Sequence, residues 1–243
     1  MSELDFYIQQ SIRLGVKAPE WPKGLRWFNT EKPLTLSSLH GKIVLLDFWT
    51  FSCVNCAHVI PDLKKLEAQY SKELVVIGVH SAKFNHERIS ENIQKNILHY
   101  EITHPVVNDE KMAIWQAYGV HVWPTFILID PEGHMVLQSS GESQYGLLDQ
   151  AMQELLRIYG SLNKIDSKPR SWKIDSDGKE SEFLRFPGKV KIRGENLLIS
   201  DTNRNRILIT DKTGRVTEKI EGPLLHPQGV EMDGDFVYIA DTD

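Results

Sequence analysis

Apolar runs alternate with amphipathic stretches along the first 160 residues. Continuous apolar runs predict buried strands, at 43–49, 74–80, 105–107 and 120–130, and a hairpin partner at 134–139. Helical spacing of apolar positions predicts helices, at 3–14, 55–70, 86–100, 112–118 and 145–159. Strands that alternate with helices predict an α/β domain with a mixed sheet, covering residues 1–160.

The pattern changes beyond that domain. Residues 161–172 are polar and predict a linker, and in 173–243 short apolar strands alternate with Gly, Asn and Asp turns. Six identities recur there at one offset of 40 residues: Pro187/Pro227, Val190/Val230, Gly194/Gly234, Ile199/Ile239, Asp201/Asp241 and Thr202/Thr242. Such a period is typical of a β-propeller blade. Because a closed propeller needs about four to eight blades, we expect one or two blades of a fragment or of an oligomeric ring.

Composition and charge narrow the classes of partner. The chain of 243 residues is 41% hydrophobic and 25% charged, as expected for a globular protein with a sizeable core. A net charge of −5 with dispersed basic residues argues against nucleic acid as a partner. No apolar run approaches the roughly 18 residues of a membrane helix, and residues 1–6 do not resemble a secretory signal. We therefore expect no membrane partner and a cytoplasmic location.

The two cysteines, Cys53 and Cys56, form a C-x-x-C sequence between the strand 43–49 and the following helix. A helix N-terminus stabilises negative charge and so favours a thiolate. The thiolate attacks a disulfide, and a second thiol can resolve the mixed intermediate. The arrangement predicts dithiol–disulfide exchange, with a protein disulfide as substrate and an upstream thiol reductant or oxidant as electron partner.

Three other interpretations of the cysteine pair stay open: part of a zinc site, an inert structural disulfide, and a chance pairing of two small apolar residues. A structural zinc ion needs four ligands, but the chain has no second C-x-x-C and His58 alone is a poor complement. An inert structural disulfide is disfavoured because structural disulfides usually close longer loops than the one between Cys53 and Cys56, for a larger entropic gain. The sequence therefore predicts no metal and no cofactor.

The first 160 residues resemble the thioredoxin superfamily, most closely its branch related to alkyl-hydroperoxide reductase and TlpA-like proteins. The matching residues are Gly41-Lys42, Asp47-Phe48-Trp49, Cys53-Val54-Asn55-Cys56, Pro61, 122–126 and 130–133. The tail resembles NHL repeats through 186–190, 198–207 and 226–230. The whole chain resembles the N-terminal part of NHL-repeat-containing proteins that begin with a thioredoxin-like domain.

The resemblance implies a catalytic role for four residues. Cys53 matches the exposed nucleophile, and Cys56 matches the deeper thiol that resolves the mixed disulfide. Asp47, six residues before the first cysteine, matches a buried acid that helps to deprotonate the resolving thiol. Desolvation within an apolar strand would raise its pKa towards that of a useful proton acceptor. Pro124 matches the cis-proline of a loop beside the dithiol.

The resemblance also implies four substrate-binding residues: Trp49, Phe51, Trp123 and Thr125. The backbone of Trp123 would pair with an extended substrate. Aromatic side chains would form an apolar rim around the sulfurs, although Trp49 fits the core equally well. His58 and His80 are interpreted as surface or capping residues.

Two functions of different classes follow. The first is a thiol–disulfide oxidoreductase with the repeats as an interaction platform, and the second is a redox-silent interaction scaffold. Val54-Asn55 stands between the cysteines where familiar thioredoxins have Gly-Pro, which leaves the direction of electron flow open. A thiol peroxidase is less favoured, because Leu46 stands where the peroxidase motif has a proline.

Overall fold

The computed structural model describes residues 2–176, 183–234 and 236–242. Contacts between residues divide the chain into two units, Met1–Asp175 and Ser176–Asp243. The first unit combines helices and strands, whereas the described part of the second consists of strands and one short 3-10 helix. The predicted α/β class of the first part and all-β class of the second are confirmed.

The first unit contains six strands and five α-helices in its described residues. The strands are β1 (Trp27–Phe28), β2 (Ile43–Trp49), β3 (Leu74–His80), β4 (Val106–Asn108), β5 (Thr125–Ile129) and β6 (Met135–Ser140). The helices are α1 (Glu3–Leu14), α2 (Val54–Gln69), α3 (Ser90–His99), α4 (Ala113–Ala117) and α5 (Tyr145–Ser161). A search of the described helices found none with the length and apolar character needed to cross a membrane.

The six strands form one mixed sheet in the order β1-β4-β3-β2-β5-β6. Strands β2, β3 and β4 run parallel to one another. The pairs β1/β4, β2/β5 and β5/β6 are antiparallel. All seven residues of β2 are buried, as expected for a central strand covered on both faces. The mixed sheet predicted from the apolar runs is therefore present.

Three apolar clusters hold the sheet and its helices together. One lies between the sheet and α1, α2 and α5. A second covers the opposite face with α4 and the segment around Trp21 and Leu39. The third joins α2 and α3 to the sheet beside the cysteines and includes Trp49, Cys56 and Ile97. The end of β2 and the start of α2 are thus held between packed layers.

The segment after α5 packs against the first unit through a buried lysine. Lys42 is 1% exposed, and its ammonium donates to the carbonyl oxygens of Lys72 (2.6 Å), Lys168 (2.6 Å) and Asp166. The Asp175 side chain accepts the backbone N–H of Asn29 at 3.1 Å, and the Asn29 side chain accepts the backbone N–H of Asp175 at 2.9 Å. The predicted linker 161–172 therefore lies against the α/β unit, because its backbone carbonyl groups accept hydrogen bonds from the buried ammonium of Lys42.

We expect Lys42→Met to destabilise the protein by about 2 kcal/mol, because buried carbonyl groups then lose a charged donor. Urea unfolding measures this change, and limited proteolysis should show earlier cleavage in the segment after α5. Lys164→Met is the matched control, since Lys164 pairs with Glu132 at 2.8 Å on the surface. Such a surface pair is worth about 0.5 kcal/mol. Equal effects of the two changes would contradict the assigned role of Lys42.

The second unit contains a four-stranded antiparallel sheet and a two-stranded one. The larger sheet has the order β10-β9-β8-β7 and the smaller pairs β11 with β12. The strands are β7 (Val190–Arg193), β8 (Asn196–Asp201), β9 (Arg206–Asp211), β10 (Val216–Glu221), β11 (Gly229–Asp233) and β12 (Phe236–Ala240). A small core joins the two sheets through Leu198, Ile207, Ile209 and Val230.

The 40-residue repeat recurs in the hydrogen bonds of the second unit. A carboxylate oxygen of Asp201 accepts the N–H of Arg185 at 2.6 Å, and Asp241 accepts the N–H of Leu225 at 2.8 Å. Both donors lie 16 residues before their acceptor and 40 residues apart in the sequence. The repeated aspartates therefore fix the turn that precedes each strand pair, as side chains of this type do in turns.

Candidate active site

Cys53 lies at the N-terminus of α2, where it is the N-cap residue. Its carbonyl oxygen accepts the N–H of Cys56 at 3.0 Å and of Ala57 at 3.2 Å. Its sulfur accepts the N–H of Cys56 at 3.3 Å. The side chain is partly exposed. An accessible sulfur at the positive end of a helix is suited to react as a thiolate.

Cys56 lies one helical turn further along and is 1% exposed. Its neighbours in the apolar cluster include Trp49 and Ile60. Burial raises the pKa of the Cys56 thiol, and the side-chain hydrogen bond with Cys53, in which the protonated Cys56 thiol is favoured, and the charge of Asp47 raise it further. Both cysteines are free thiols. Cys56 therefore needs a proton acceptor before it can attack.

Asp47 lies in the middle of β2 and is 4% exposed. Burial raises its pKa from 3.8 to about 7, a shift that electrostatic interaction with His104 opposes and that with Glu67 increases. Its Oδ1 atom has no hydrogen-bond partner among the described residues. A carboxyl group with this pKa exchanges its proton readily near neutral pH, as a general base requires.

The loop before β5 contains the predicted cis-proline. The Trp123–Pro124 peptide bond is cis. Trp123 is partly exposed, and its indole N–H donates to the carbonyl oxygen of Ser81 at 3.0 Å. Thr125 is 1% exposed, and its hydroxyl donates to the carbonyl oxygen of Val122 at 2.8 Å. The Thr125 side chain therefore supports the loop from inside, which corrects the prediction that it contacts substrate.

The other two predicted substrate contacts occupy different environments. Trp49 is 2% exposed and belongs to the core. A substrate cannot contact a side chain that is buried in this way, so the prediction that Trp49 lies on the apolar rim around the sulfurs is corrected. Phe51 is partly exposed and stacks on His80, with 5.4 Å between ring centroids. His80 itself is fully buried, contrary to the surface or capping role interpreted from sequence. Burial lowers the pKa of His80 to about 4, so its imidazole is neutral.

Glu87 anchors the segment that leads into Cys53. It is buried, and its carboxylate accepts the hydroxyl of Ser52 and the N–H groups of Lys83 (2.6 Å) and Phe84 (2.7 Å). Burial by itself raises the pKa of Glu87, but the hydrogen bonds, that of Ser52 foremost, hold it below the usual value. An ionised, fully hydrogen-bonded carboxylate therefore fixes the residue immediately before the nucleophile.

We expect Ser52→Ala to lower the free energy of unfolding by about 1 kcal/mol, because the Glu87 carboxylate loses a hydrogen bond. Ser139→Ala is the matched control, since the Ser139 hydroxyl has no partner among the described residues. It should change stability by less than about 0.5 kcal/mol. Urea unfolding of the two variants decides this, and an unchanged midpoint for Ser52→Ala would contradict the anchoring role.

The structure also brings polar residues to the site that sequence reasoning did not select. Glu87 and His104 are far from the cysteines in sequence, Glu67 lies on the same helix as Cys56, and no motif marks any of the three. The turn that contains Glu87, Asn85–Arg88, is polar throughout, so a further charged residue there carries no signal. In the described part of the chain, no group of three or more His, Cys, Asp or Glu residues is arranged to hold a metal ion.

Residues 41–135 match the family model described as thioredoxin-like. This range includes both cysteines, Asp47 and the cis-proline loop. The chain contains a thioredoxin-like domain. Its fold agrees with a crystal structure of a thioredoxin-like superfamily protein, at a TM-score of 0.52 and 27% identity, covering 58% of this chain and 96% of that one.

Similarity to curated proteins extends beyond the thioredoxin-like domain. NHL repeat-containing protein 2 of Bos taurus is 38% identical over 243 residues, which cover 93% of this chain and 34% of that protein. The chain thus spans about a third of the length of that relative. Thiol-disulfide oxidoreductase ResA of Halalkalibacterium halodurans is 29% identical over 125 residues, covering 50% of this chain and 66% of ResA. The predicted resemblance to proteins that join a thioredoxin-like domain to NHL repeats is confirmed.

Proposed function

We propose that this chain is a thiol–disulfide oxidoreductase that exchanges electrons with protein disulfides through Cys53 and Cys56. The observation that carries the proposal is the difference in solvent exposure between the two thiols. Cys53 is partly exposed at a helix N-terminus, whereas Cys56 is buried one turn behind it beside Asp47. The similarity to a protein named thiol-disulfide oxidoreductase supports the same chemistry.

In the reducing direction, the thiolate of Cys53 attacks one sulfur of the substrate disulfide. A bond forms between Cys53 and that sulfur, while the substrate S–S bond breaks and its second sulfur leaves with the electron pair. That thiolate takes a proton from water. The helix N-terminus stabilises the attacking thiolate before reaction, because the N–H of Cys56 points at the sulfur.

Cys56 then resolves the mixed disulfide. Asp47 accepts the proton of the Cys56 thiol, and the new thiolate attacks the sulfur of Cys53. The Cys53–Cys56 bond forms, the Cys53–substrate bond breaks, and the substrate sulfur that Cys53 had attacked leaves as a thiolate and takes up a proton. Two electrons pass from the dithiol to the substrate, and an upstream thiol reductant restores the dithiol by the reverse steps.

Exposed apolar side chains close to the sulfur suit an extended protein segment. Val54 is 64% exposed directly after Cys53, and Val122 is 51% exposed directly before Trp123. The partly exposed rings of Phe51 and Trp123 add to this apolar surface. The backbone of the loop at Trp123 would supply hydrogen bonds to the substrate by strand addition.

The test is a redox titration of the Cys53/Cys56 pair in dithiothreitol buffers, followed by alkylation and intact mass. We expect a reversible two-thiol transition between about −270 and −120 mV. A pair that never oxidises, or one reduced only below about −300 mV, contradicts the proposal. The measured potential also shows which direction of electron flow the protein favours.

A redox-silent interaction scaffold is the second candidate, favoured by the repeated strands of the second unit. We propose that these strands begin an NHL-type β-propeller that binds a protein partner, since Ile192 and Phe236 are 66% and 70% exposed on them. Cys53→Ser separates the candidates: undiminished reduction of a model protein disulfide by that variant would exclude the enzyme. We place the reaction in the cytoplasm as part of the same proposal.

A further inference from the structure

A buried histidine and a glutamate lie behind the dithiol. His104 is 3% exposed and precedes β4. Its Nδ1 atom lies 3.1 Å from Oε2 of Glu67, which is on α2 and has a side chain 23% exposed. Glu67 thus connects an otherwise enclosed imidazole to solvent. Neither residue takes part in the proposed exchange of disulfides described above.

The imidazole of His104 lies beside the strand position that pairs with Asp47. Asp47 of β2 is in register with Gly78 of β3. A Cβ atom on Gly78 would lie 3.5 Å from Nε2 of His104 and 2.9 Å from Nε1 of Trp49. The absence of a side chain at Gly78 therefore leaves the space beside Asp47 to the imidazole and the indole.

Few titratable groups face Asp47 from the elements packed around it. Cys56 and Glu67 face it from α2, and His104 faces it from the segment before β4. The adjacent residues on the neighbouring strands are Gly78 on β3 and Phe126 on β5, neither of which titrates. His104 is therefore the basic group that faces Asp47 from these elements, and it opposes the effect of burial on the pKa of Asp47.

We propose that His104, oriented by Glu67, is a positioning residue that controls the charge of Asp47 and carries its proton towards solvent. The inference rests on the proposed oxidoreductase function. After Asp47 takes the proton of Cys56, Nε2 of His104 accepts a proton from the Asp47 side and Nδ1 releases one to Glu67 and water. The imidazole ends neutral but as the other tautomer, with its proton on Nε2, the Asp47 carboxylate is regenerated, and the electrons stay in the sulfur exchange described above.

The test separates the two sulfur steps with one equivalent of 5,5′-dithiobis(2-nitrobenzoate). Attack by Cys53 releases one coloured thionitrobenzoate, and attack by Cys56 on the mixed disulfide releases the second. We expect His104→Gln to leave the first release unchanged and to slow the second about threefold to tenfold near neutral pH. The pH profile of the second release should move to higher pH, because His104 lowers the pKa of Asp47 and its replacement removes that influence.

Two comparisons make the result specific. His134→Gln is the matched control, because Nδ1 of His134 also lies 3.1 Å from a carboxylate oxygen, that of Asp130. The pH profile of the second release in this variant should equal that of the wild type. In an Asp47→Asn background, His104→Gln should cause no further slowing. An unchanged profile for His104→Gln, or an effect that persists without Asp47, overturns the proposal.

A measurement on the wild-type protein covers the case in which His104→Gln does not fold. The imidazole resonances of His104 should show an inflection at the pH where Asp47 titrates, and Asp47→Asn should remove it. His104 resonances that show no inflection at the pH where Asp47 titrates, or that keep it in Asp47→Asn, overturn the inference. If the wild type releases no second thionitrobenzoate and shows no reversible redox transition, the proposed oxidoreductase function itself fails. If the wild type behaves as expected and His104→Gln has no effect, only the role inferred for His104 fails.

Discussion

Replacing Cys56 by serine is expected to stop turnover while leaving the first attack intact, so that Cys53 accumulates as a mixed disulfide with its substrate. Cys56 is held one helical turn from Cys53 by the N–H that it donates to the Cys53 sulfur. The second attack is therefore intramolecular, and such positioning contributes a large effective concentration. Its loss should slow the reduction of insulin by at least about a hundredfold.

The mixed disulfide can be detected by non-reducing electrophoresis and intact mass after incubation with insulin. Cys53→Ser is the control, and it should capture nothing, because the remaining thiol is buried and 1% exposed. Capture through Cys56 in the Cys53→Ser variant would reverse the assigned roles. Turnover by Cys56→Ser at the wild-type rate would show that no resolving cysteine is needed.

The position of the dithiol was predictable because it depends on local sequence. An apolar run before Cys53 and helical spacing after it predicted a strand and a helix, and the structure has β2 and α2 there. Desolvation of Asp47 followed from its place inside the same run. These features require only the period of the apolar positions and the chemistry of the residues within them.

The environment of the site was less predictable, because it is built by contacts distant in sequence. Glu67 and His104 are 37 residues apart, and Ser52 and Glu87 are 35 apart. His80 ends an apolar run, so its polar side chain suggested a surface position, yet the aromatic ring of Phe51 covers it. Contacts between distant segments override the local preference of a single side chain.

Replacing Asp47 by asparagine is expected to stabilise the protein above neutral pH and to slow the resolving step. Burial raises the pKa of Asp47 from 3.8 to about 7. The folded protein therefore holds this proton more tightly than the unfolded chain. The stability linked to the bound proton is fully present below pH 3.8 and is lost as the pH rises through about 7. An asparagine cannot ionise, so it avoids that loss.

We expect a gain on the order of 3 kcal/mol for Asp47→Asn at about pH 8, and little gain in acid, from urea unfolding across the pH range. Asp109→Asn is the matched control, because Asp109 is fully buried but accepts the N–H groups of Ile114 (3.0 Å) and Trp115 (2.8 Å). An amide there gives up acceptors, so this variant should be less stable than the wild type. The Asp47 variant should also release the second thionitrobenzoate about a hundredfold more slowly, because the proton acceptor is gone. A variant that is no more stable at high pH would show that Asp47 is not destabilised by burial, and an unchanged second release would remove it from the proton path.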